Sequence, residues 1–318
     1  MKNKHNRVKP AHKEQPEKPL ATAPKRRNKP APAAGSELTT PAAHKNATPP
    51  VASSTEEGER IQKVLARGGL ASRREIERWM TEGKIQVNGV QVLLGTRLKA
   101  GDSLQVNGRM VNWHKYAEQA TRVVIYNKPT GEVVTRNDPQ GRPIVFKQMP
   151  ELSNGRWIAV GRLDINTSGL LILTNNGELA NRLMHPSTQI EREYAVRLLG
   201  DIPESTLEKL KQGIILEDGK AQFNEIRLVG GEGANKWYYV TVTEGRNRLV
   251  RRLWESQEAV VSRLIRVRYG PVVLPENLRA KNSYELTAKE LTLLFEFVGM
   301  AEPKSDAKPV KKTFSRKK

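Results

Sequence analysis

The chain has 318 residues and a formal charge of +20, with 54 Lys and Arg against 34 Asp and Glu. A field of that sign attracts polyanions, of which nucleic acid is the commonest. There is no cysteine, which excludes disulfides, thiolate metal sites and cysteine nucleophiles, and no apolar run approaches the roughly 18 residues that span a bilayer.

Residues 1–57 are rich in Pro, Ala, Lys and Thr and nearly free of aromatics, and eleven Lys/Arg face three acids over residues 1–55. Such a stretch buries too little apolar surface to offset the entropy of ordering, so a disordered basic tail is expected. Its opening, "MKNKHNRVKPAHKEQ", lacks the apolar core of a secretory signal, and a cytoplasmic location is the expectation. "PKRRNKP" reads as part of this arm rather than as a nuclear-localisation signal. Three of the five histidines (His5, His12, His44) also fall here, so no histidine-built metal site is expected.

Residues 58–108 read as a compact block. "ERIQKVLARGG" puts Ile61, Val64 and Leu65 on one helical face and stops at Gly68-Gly69. "SRREIERWM" predicts a second helix opened by a Ser72/Glu75 capping box, with Ile76, Trp79 and Met80 as its buried stripe. "KIQVNGVQV" alternates around Asn88-Gly89, a hairpin signal. Two short helices followed by a hairpin resemble the alpha-L RNA-binding module of ribosomal proteins and RNA-modifying enzymes. In that reading Arg67, Arg73 and Arg74, which bracket the helix junction, and Lys84 face phosphates; the alternative is a solvated basic surface.

Residues 109–120 read as a linker, and residues 121–300 as a larger α+β domain. "RVVIYNKP", "WIAV" and "LLILT" predict strands, and "GELANRLMHP" a helix ended by Pro186. "REYAVRLLG", "WYYVTVTEG" and "SRLIRVRYG" are enriched in β-branched and aromatic residues and predict strands. "NRLVRRLWES" predicts a short basic helix. A final helix carries a Thr287/Glu290 capping box, a Leu286/Leu291 staple and Gly299 as its stop. Strands outnumber helices without alternating with them, which predicts a mixed, largely antiparallel sheet. Residues 301–318, with seven Lys/Arg against two acids, read as a second disordered basic tail.

Between two of these strands, "VGRLDINTSG" presents one carboxylate, Asp164, with no second acid, histidine or cysteine beside it. Three readings compete. Asp and Asn favour turns because their side chains bond the nearby backbone. An Asp-x-Asp-x-Thr phosphotransfer site needs a second acid for magnesium, and here that position is Asn166. A single carboxylate can also act as a nucleophile on carbon. It must then stay ionised in a closed pocket, which requires a cation nearby. "NRLVRRLWE" offers Arg251 and Arg252, which point about 100° apart on a helix, so one faces the site and the other faces RNA or solvent.

"VGRLDINTSGLLILTNNGELANRLMHP", "EREYAVRLLG" and "TEGRNRLVRRLWES" with "VSRLIRVRYGP" resemble, in order, the signature segments of the RsuA-type rRNA pseudouridine synthase family. "NKPTGEVVTRNDPQGRPIVF" and "GGEGANKWYYVTVTEGRNR" extend the likeness over residues 58–299. The resemblance implies isomerisation of uridine to pseudouridine in ribosomal RNA, most similar to members acting on the peptidyl-transferase region of the large subunit. It implies Asp164 as the catalytic aspartate, attacking either uracil C6 or ribose C1′. Arg162 would fill the gap left by the extruded base, Tyr194 would stack on the uracil and is a candidate acceptor for the C5 proton, and Arg251 would be the basic partner of Asp164. Arg252 would face RNA. Leu249 departs from the polar residue common in the family. Gly161 and Gly169 would permit a tight loop near the flipped nucleotide. No cofactor, metal or membrane is implied, and the expected state is a monomer with ribosomal RNA as partner. The rival readings are a non-catalytic RNA-binding or ribosome-assembly factor, and a synthase acting on a neighbouring or small-subunit uridine.

Overall fold

The computed structural model describes residues 58–116 and 119–301; the two expected tails lie outside the described residues except for Ala301. The front domain runs β1 (Glu59–Arg60), α1 (Ile61–Arg67), α2 (Arg73–Thr81), β2 (Ile85–Val87), β3 (Val90–Gln91), β4 (Arg97–Leu98), β5 (Leu104–Val106) and β6 (Arg109–Met110). β1 pairs with β4, and the other strands form a small sheet in the order β3-β2-β5-β6. Asn88 and Gly89 both take positive φ (52° and 80°), the geometry of the type I′ hairpin turn that the Asn-Gly pair predicts. Ile61, Val64, Leu65, Ile76, Ile85 and Leu104 are fully buried between the helices and this sheet.

Two expectations change here. Ser72 Oγ does cap α2, accepting from the Glu75 amide at 3.1 Å, but the Glu75 carboxylate does not return to Ser72. It accepts instead from Trp79 Nε1 at 3.0 Å and from Arg78, so half of the capping box is replaced by bonds further along the helix. The stretch read as a linker is also structured in part. β6 pairs with β5, and Trp113 and Tyr116 bury into the front core, so residues 109–116 pack with the front domain.

The second domain contains β7 (Val123–Lys128), β8 (Ile158–Ala159), β9 (Ser168–Thr174), α3 (Gly177–Met184), β10 (Arg192–Leu199), α4 (Glu204–Gln212), β11 (Ile214–Leu216), β12 (Gly219–Ala221), β13 (Glu225–Gly230), β14 (Asn235–Val242), α5 (Leu249–Glu255), β15 (Val261–Tyr269), β16 (Val272–Val273), β17 (Ser283–Glu285) and α6 (Ala288–Phe297). The main sheet has the order β13-β14-β10-β15-β9-β7-β17, with β16 beside β15 and β8 beside β9; β11 and β12 form a separate hairpin. Every pairing in the main sheet is antiparallel except β15 with β9, which holds only Ile265–Ser168 and Arg266–Gly169. This is the mixed, largely antiparallel α+β fold that the sequence predicts.

β9 reads as a continuous apolar run because both of its faces are covered. Leu170 and Ile172 pack with Leu179 and Leu183 of α3 and Leu294 of α6. Leu171 and Leu173 pack on the other side with Trp157 and Leu163. α5 buries Leu249, Val250, Leu253 and Trp254 against Val196, Tyr238 and Val240. The capping box expected at α6 is complete: Thr287 Oγ1 accepts from the Glu290 amide and the Glu290 carboxylate accepts from the Thr287 amide. Together these packings fix β9, and with it the loop that precedes it.

Gly161 and Gly169 bracket that loop with φ of +76° and +99°. A Cβ at Gly161 would meet open space, whereas at Gly169 it would collide with the backbone of Arg266 across the short parallel pairing. Gly161→Ala is therefore expected to cost about 1 kcal/mol, from the left-handed backbone alone. Gly169→Ala is expected to cost about 3 kcal/mol or more, because the β9–β15 junction must also shift. Urea unfolding of the two variants checks the difference; equal losses would show that the close approach is not rigid.

Candidate active site

The Asp164 loop is held by its backbone carbonyls. Asp164 O accepts from the Thr167 amide at 3.0 Å, closing a turn, and Ile165 O accepts from the Gly131 amide at 2.8 Å. Asn166 O accepts from Arg251 Nη2 at 2.9 Å. Lys128 Nζ donates to Asp164 O at 3.2 Å and Thr167 O at 2.9 Å, and its third bond goes to Pro129 O at 2.9 Å. Four consecutive carbonyls are thus fixed, two of them by one ammonium. The turn reading of Asp164 is right for its backbone, and it leaves the side chain free for something else.

The Asp164 carboxylate, half-buried, forms no hydrogen bond or ion pair among the described residues. Two cations act on it through space, Lys128 and Arg251. Arg251, the expected basic partner of Asp164, thus acts on it through space rather than by a direct hydrogen bond. Arg251 is buried, 8 % exposed, and spends its guanidinium on Asn166 O and on Val261 O at 3.1 Å, so it supports the loop and contributes charge from behind. Burial lowers its pKa, as does Arg248, while Asp164 and Glu255 oppose the shift; an arginine stays protonated regardless. Its Nε and the Thr167 hydroxyl are buried without a partner among the described residues.

Lys128 is the residue sequence reasoning missed. Its side chain is fully buried at the end of β7, and burial pushes its ammonium down to about 8 against the opposing pull of Glu132 and Asp164. Glu132 is itself buried and accepts from Tyr126 Oη at 2.8 Å. That contact, added to burial, pushes the tyrosine hydroxyl well up. A signal was present: Val124, Tyr126 and Lys128 share one strand face, and the first two bury into the cluster that contains Leu163.

The other expected site residues fall as follows. Tyr194 is half-buried on β10 and packs on the cluster containing Leu163, the neighbour of Asp164. Arg162 is exposed and makes no ion pair among the described residues. Leu249 is buried in the core beneath α5, so its apolar character is a packing requirement. Arg252 does point away from Arg251, but it is bound to Asp218 of the β11–β12 hairpin by two bonds of 2.8 Å. Arg246 joins the same carboxylate at 3.0 Å, and these guanidiniums hold Asp218 below the ordinary carboxylate range. The expected RNA-facing role for Arg252 is therefore replaced by a structural ion pair. Among the described residues no group of three or more His, Asp or Glu is placed to hold a metal ion, and no helix is long and apolar enough to cross a membrane.

Comparison with known proteins places this geometry. Residues 122–256 match the RNA pseudouridylate synthase family, and residues 59–104 match the S4 domain. Proteins named ribosomal large subunit pseudouridine synthase B are similar across both domains. That of Pseudomonas aeruginosa is 54% identical over 244 residues, covering 76% of this chain and 63% of the relative, so this chain spans less than two thirds of that protein. That of Escherichia coli K12 is 50% identical over 262 residues, covering 82% and 90%. The chain belongs to the pseudouridine synthase family. A crystal structure of a pseudouridylate synthase shares the fold, with a TM-score of 0.52 at 25% identity, covering 74% of this chain and all of that one.

In this chain the S4 domain divides its basic residues. Arg73 and Arg74 are exposed at the start of α2 without ion pairs among the described residues, as a phosphate-facing pair would be. Lys84 is exposed but contacts Glu82 at 2.6 Å. Arg67 turns inward, gripping Glu59 through two bonds of 2.9 and 2.8 Å and Tyr116 O at 2.7 Å. The expectation that Arg67 faces phosphate is therefore wrong: it joins α1 to β1 and to residue 116.

The Lys128 clamp makes a pH prediction. Below about 8 the ammonium satisfies three carbonyls, and the neutral amine above that pH has one donor fewer. Turnover should fall as pH rises through about 8. Stability should not fall with it. The folded pKa lies below the ordinary 10.5, so the folded chain binds fewer protons than the unfolded one in this window. The contribution of Lys128 to stability therefore rises with pH from about 8 to 10.5. Single-turnover rates and urea midpoints measured across the same pH series test this, and parallel loss of both would refute it. Lys128→Met should abolish turnover and destabilise the fold by on the order of 3 kcal/mol, by stranding buried carbonyls.

Proposed function

We propose that this chain converts a uridine in the peptidyl-transferase region of large-subunit ribosomal RNA to pseudouridine, acting in the cytoplasm as a monomer, with Asp164 as the nucleophile. The N1–C1′ bond breaks, the uracil turns over, and a C5–C1′ bond forms. The proton lost from C5 is balanced by one gained at N1, so the product is an isomer. Asp164 adds either to C6 or to C1′ along the way. The observation that carries this reading is a carboxylate free of protein partners on a loop whose four carbonyls are all fixed. Such a group is aimed without being occupied, with two buried cations acting on it through space.

In this scheme Arg162, exposed beside Asp164, enters the stack that the extruded base leaves. Extrusion costs on the order of a few kcal/mol, so a planar cation filling the gap helps to hold the open state. Tyr194 stacks on the flipped uracil and accepts the C5 proton. Arg251 keeps the loop and its charge in place. The names of the relatives support the large subunit as the target class, and the resemblance of the signature segments supports the peptidyl-transferase region. Arg73 and Arg74 of the S4 domain contribute phosphate contacts that position the RNA.

The competing reading is a binding or assembly factor without chemistry. Its weakness is electrostatic: a binder of polyanions gains nothing from an unpaired carboxylate at the centre of its site. A neighbouring or small-subunit uridine as target leaves the same chemistry in place. Asp164→Asn is expected to lower turnover on the order of a thousandfold or more while leaving RNA affinity within about twofold, because phosphate contacts supply most of the binding. The assay is a carbodiimide-dependent stop of reverse transcription on large-subunit RNA, whose product has the mass of its substrate. Near-parental turnover by the Asn variant would end the assignment. Arg251→Lys should retain more activity than Arg251→Met, and Arg252→Met should leave turnover at saturating RNA near the parental value, since Arg252 bonds Asp218 rather than the Asp164 loop.

A further inference from the structure

One face of the main sheet is unused by the reading above. On β10, β14 and β15, Val196, Leu198, Tyr238, Val240 and Leu264 bury against α5. Strand alternation sends the residues between them to the opposite face. There the ladder aligns two rows. Arg227, Tyr239, Ala195 and Ile265 stand side by side, and next to them Gly230, Trp237, Arg197 and Arg263. Trp237, Tyr239 and Ile265 are half-buried and belong to none of the core clusters of the described residues.

The chemistry of this face is specific. Arg197 lies over the Trp237 ring at 5.9 Å, and Arg227 over the Tyr239 ring at 5.4 Å. Arg263 is exposed and has no ion pair among the described residues. The acids nearby are Glu225 and Glu193, and Glu193 is already engaged by Arg227 at 3.5 Å and Arg268 at 3.2 Å. Cations therefore prevail. Between the rings and the edge lies a shallow, mainly apolar notch of about 400 Å³, lined by Ala195, Val229, Gly230, Trp237, Tyr239 and Ile265.

We propose that this face is a stacking platform for an unpaired, single-stranded segment of the substrate RNA. Two aromatic rings two residues apart on a strand are spaced by about 6.8 Å. That is about twice the 3.4 Å rise per nucleotide of a stacked strand. Neighbouring bases can each take a ring only if they are unstacked and extended, which selects single-stranded over duplex RNA. Arginines beside the rings supply phosphate contacts, the combination used wherever a sheet binds single strands through base stacking. The notch has room for a base at the edge of Tyr239. Tyr194 is on the α5 side of β10, so this platform is on the reverse of the sheet from the candidate nucleophile. Its occupant is a flank of the RNA that passes round the β13 edge, and it contributes affinity rather than chemistry.

The inference rests on the proposed function only in taking RNA as the substrate, and its test does not depend on uridine isomerisation. The full chain is titrated with an unstructured oligouridylate. Trp237→Ala and Arg263→Glu are each expected to weaken binding about tenfold, while Trp237→Phe, which keeps a stacking ring, stays within about twofold. A 4-thiouridine version of the same oligonucleotide should crosslink to the peptide carrying Trp237 and Tyr239. Single-turnover rates at saturating ribosomal RNA should stay near the parental value in all three variants. Unchanged oligonucleotide affinity in both Trp237→Ala and Arg263→Glu would overturn the proposal. So would a change in sedimentation with RNA affinity intact, which would assign the face to a protein contact. If the chain proved not to isomerise uridine yet lost affinity as described, the platform would stand and the enzymatic reading would fall.

Discussion

The site depends on one buried ammonium. Lys128 ends a strand whose side chains on that face are otherwise apolar or aromatic, and it gives all three of its donors to backbone carbonyls, two of them in the Asp164 loop. A charge in such surroundings is tolerated only when its hydrogen-bonding capacity is filled. The fixed geometry of the loop supplies that filling, so lysine and loop each require the other. The same arrangement separates two jobs that a simpler ion pair would merge. A cation bonded directly to Asp164 would occupy the carboxylate oxygens that this arrangement leaves free. By bonding the carbonyls, Lys128 and Arg251 deliver field without contact.

That separation matters because the surroundings are so cationic. In a chain of net charge +20, a free carboxylate on a mobile loop would be captured by the nearest arginine. The structure prevents capture by engaging its arginines elsewhere. Arg252 and Arg246 share Asp218, Arg248 bonds Glu255, and Arg67 bonds Glu59. Arg162, Arg73, Arg74 and Arg263 are among those left exposed without an acid among the described residues, available to an external polyanion. Surface ion pairs of the first kind add little stability; their effect here is to decide which cations remain available.

The elements legible in the sequence were those whose local and tertiary demands coincide. The Asn88-Gly89 turn, the apolar run of β9 and the Thr287 box each carry their own signal within a few residues. α4, the β11–β12 hairpin and β13 are absent from the sequence reading, although Asp218-Gly219 marks the hairpin turn. α4 begins at Pro203 without a side-chain cap, and β13 is an edge strand that is mostly exposed, so neither shows a clean period. Asp164, Arg162 and Tyr194 could be named because they sit in distinctive segments. Their partners were harder, since partnership is a long-range fact. Whether Arg67 meets phosphate or Glu59, and whether Arg252 meets RNA or Asp218, depends on which strand folds back beside it. Charge alone does not encode that choice.

The same logic explains why the rear of the sheet escaped notice. "NKWYYVTV" has an aromatic at each of three successive positions, and sequence alone reads this as strand propensity. Only the ladder register separates Tyr238, which buries against Trp254 at 5.7 Å between ring centres, from Trp237 and Tyr239, which face away. One strand thereby serves two surfaces. Its inward residues anchor α5, and through α5 hold Arg251 against the Asp164 loop, while its outward residues remain open beside three arginines. A change on the outward side can therefore alter affinity without touching the clamp, provided the inward packing of Tyr238 and Val240 is kept. A change on the inward side disturbs both at once, because Tyr238 and Val240 pack in the same cluster as the helix that carries Arg251.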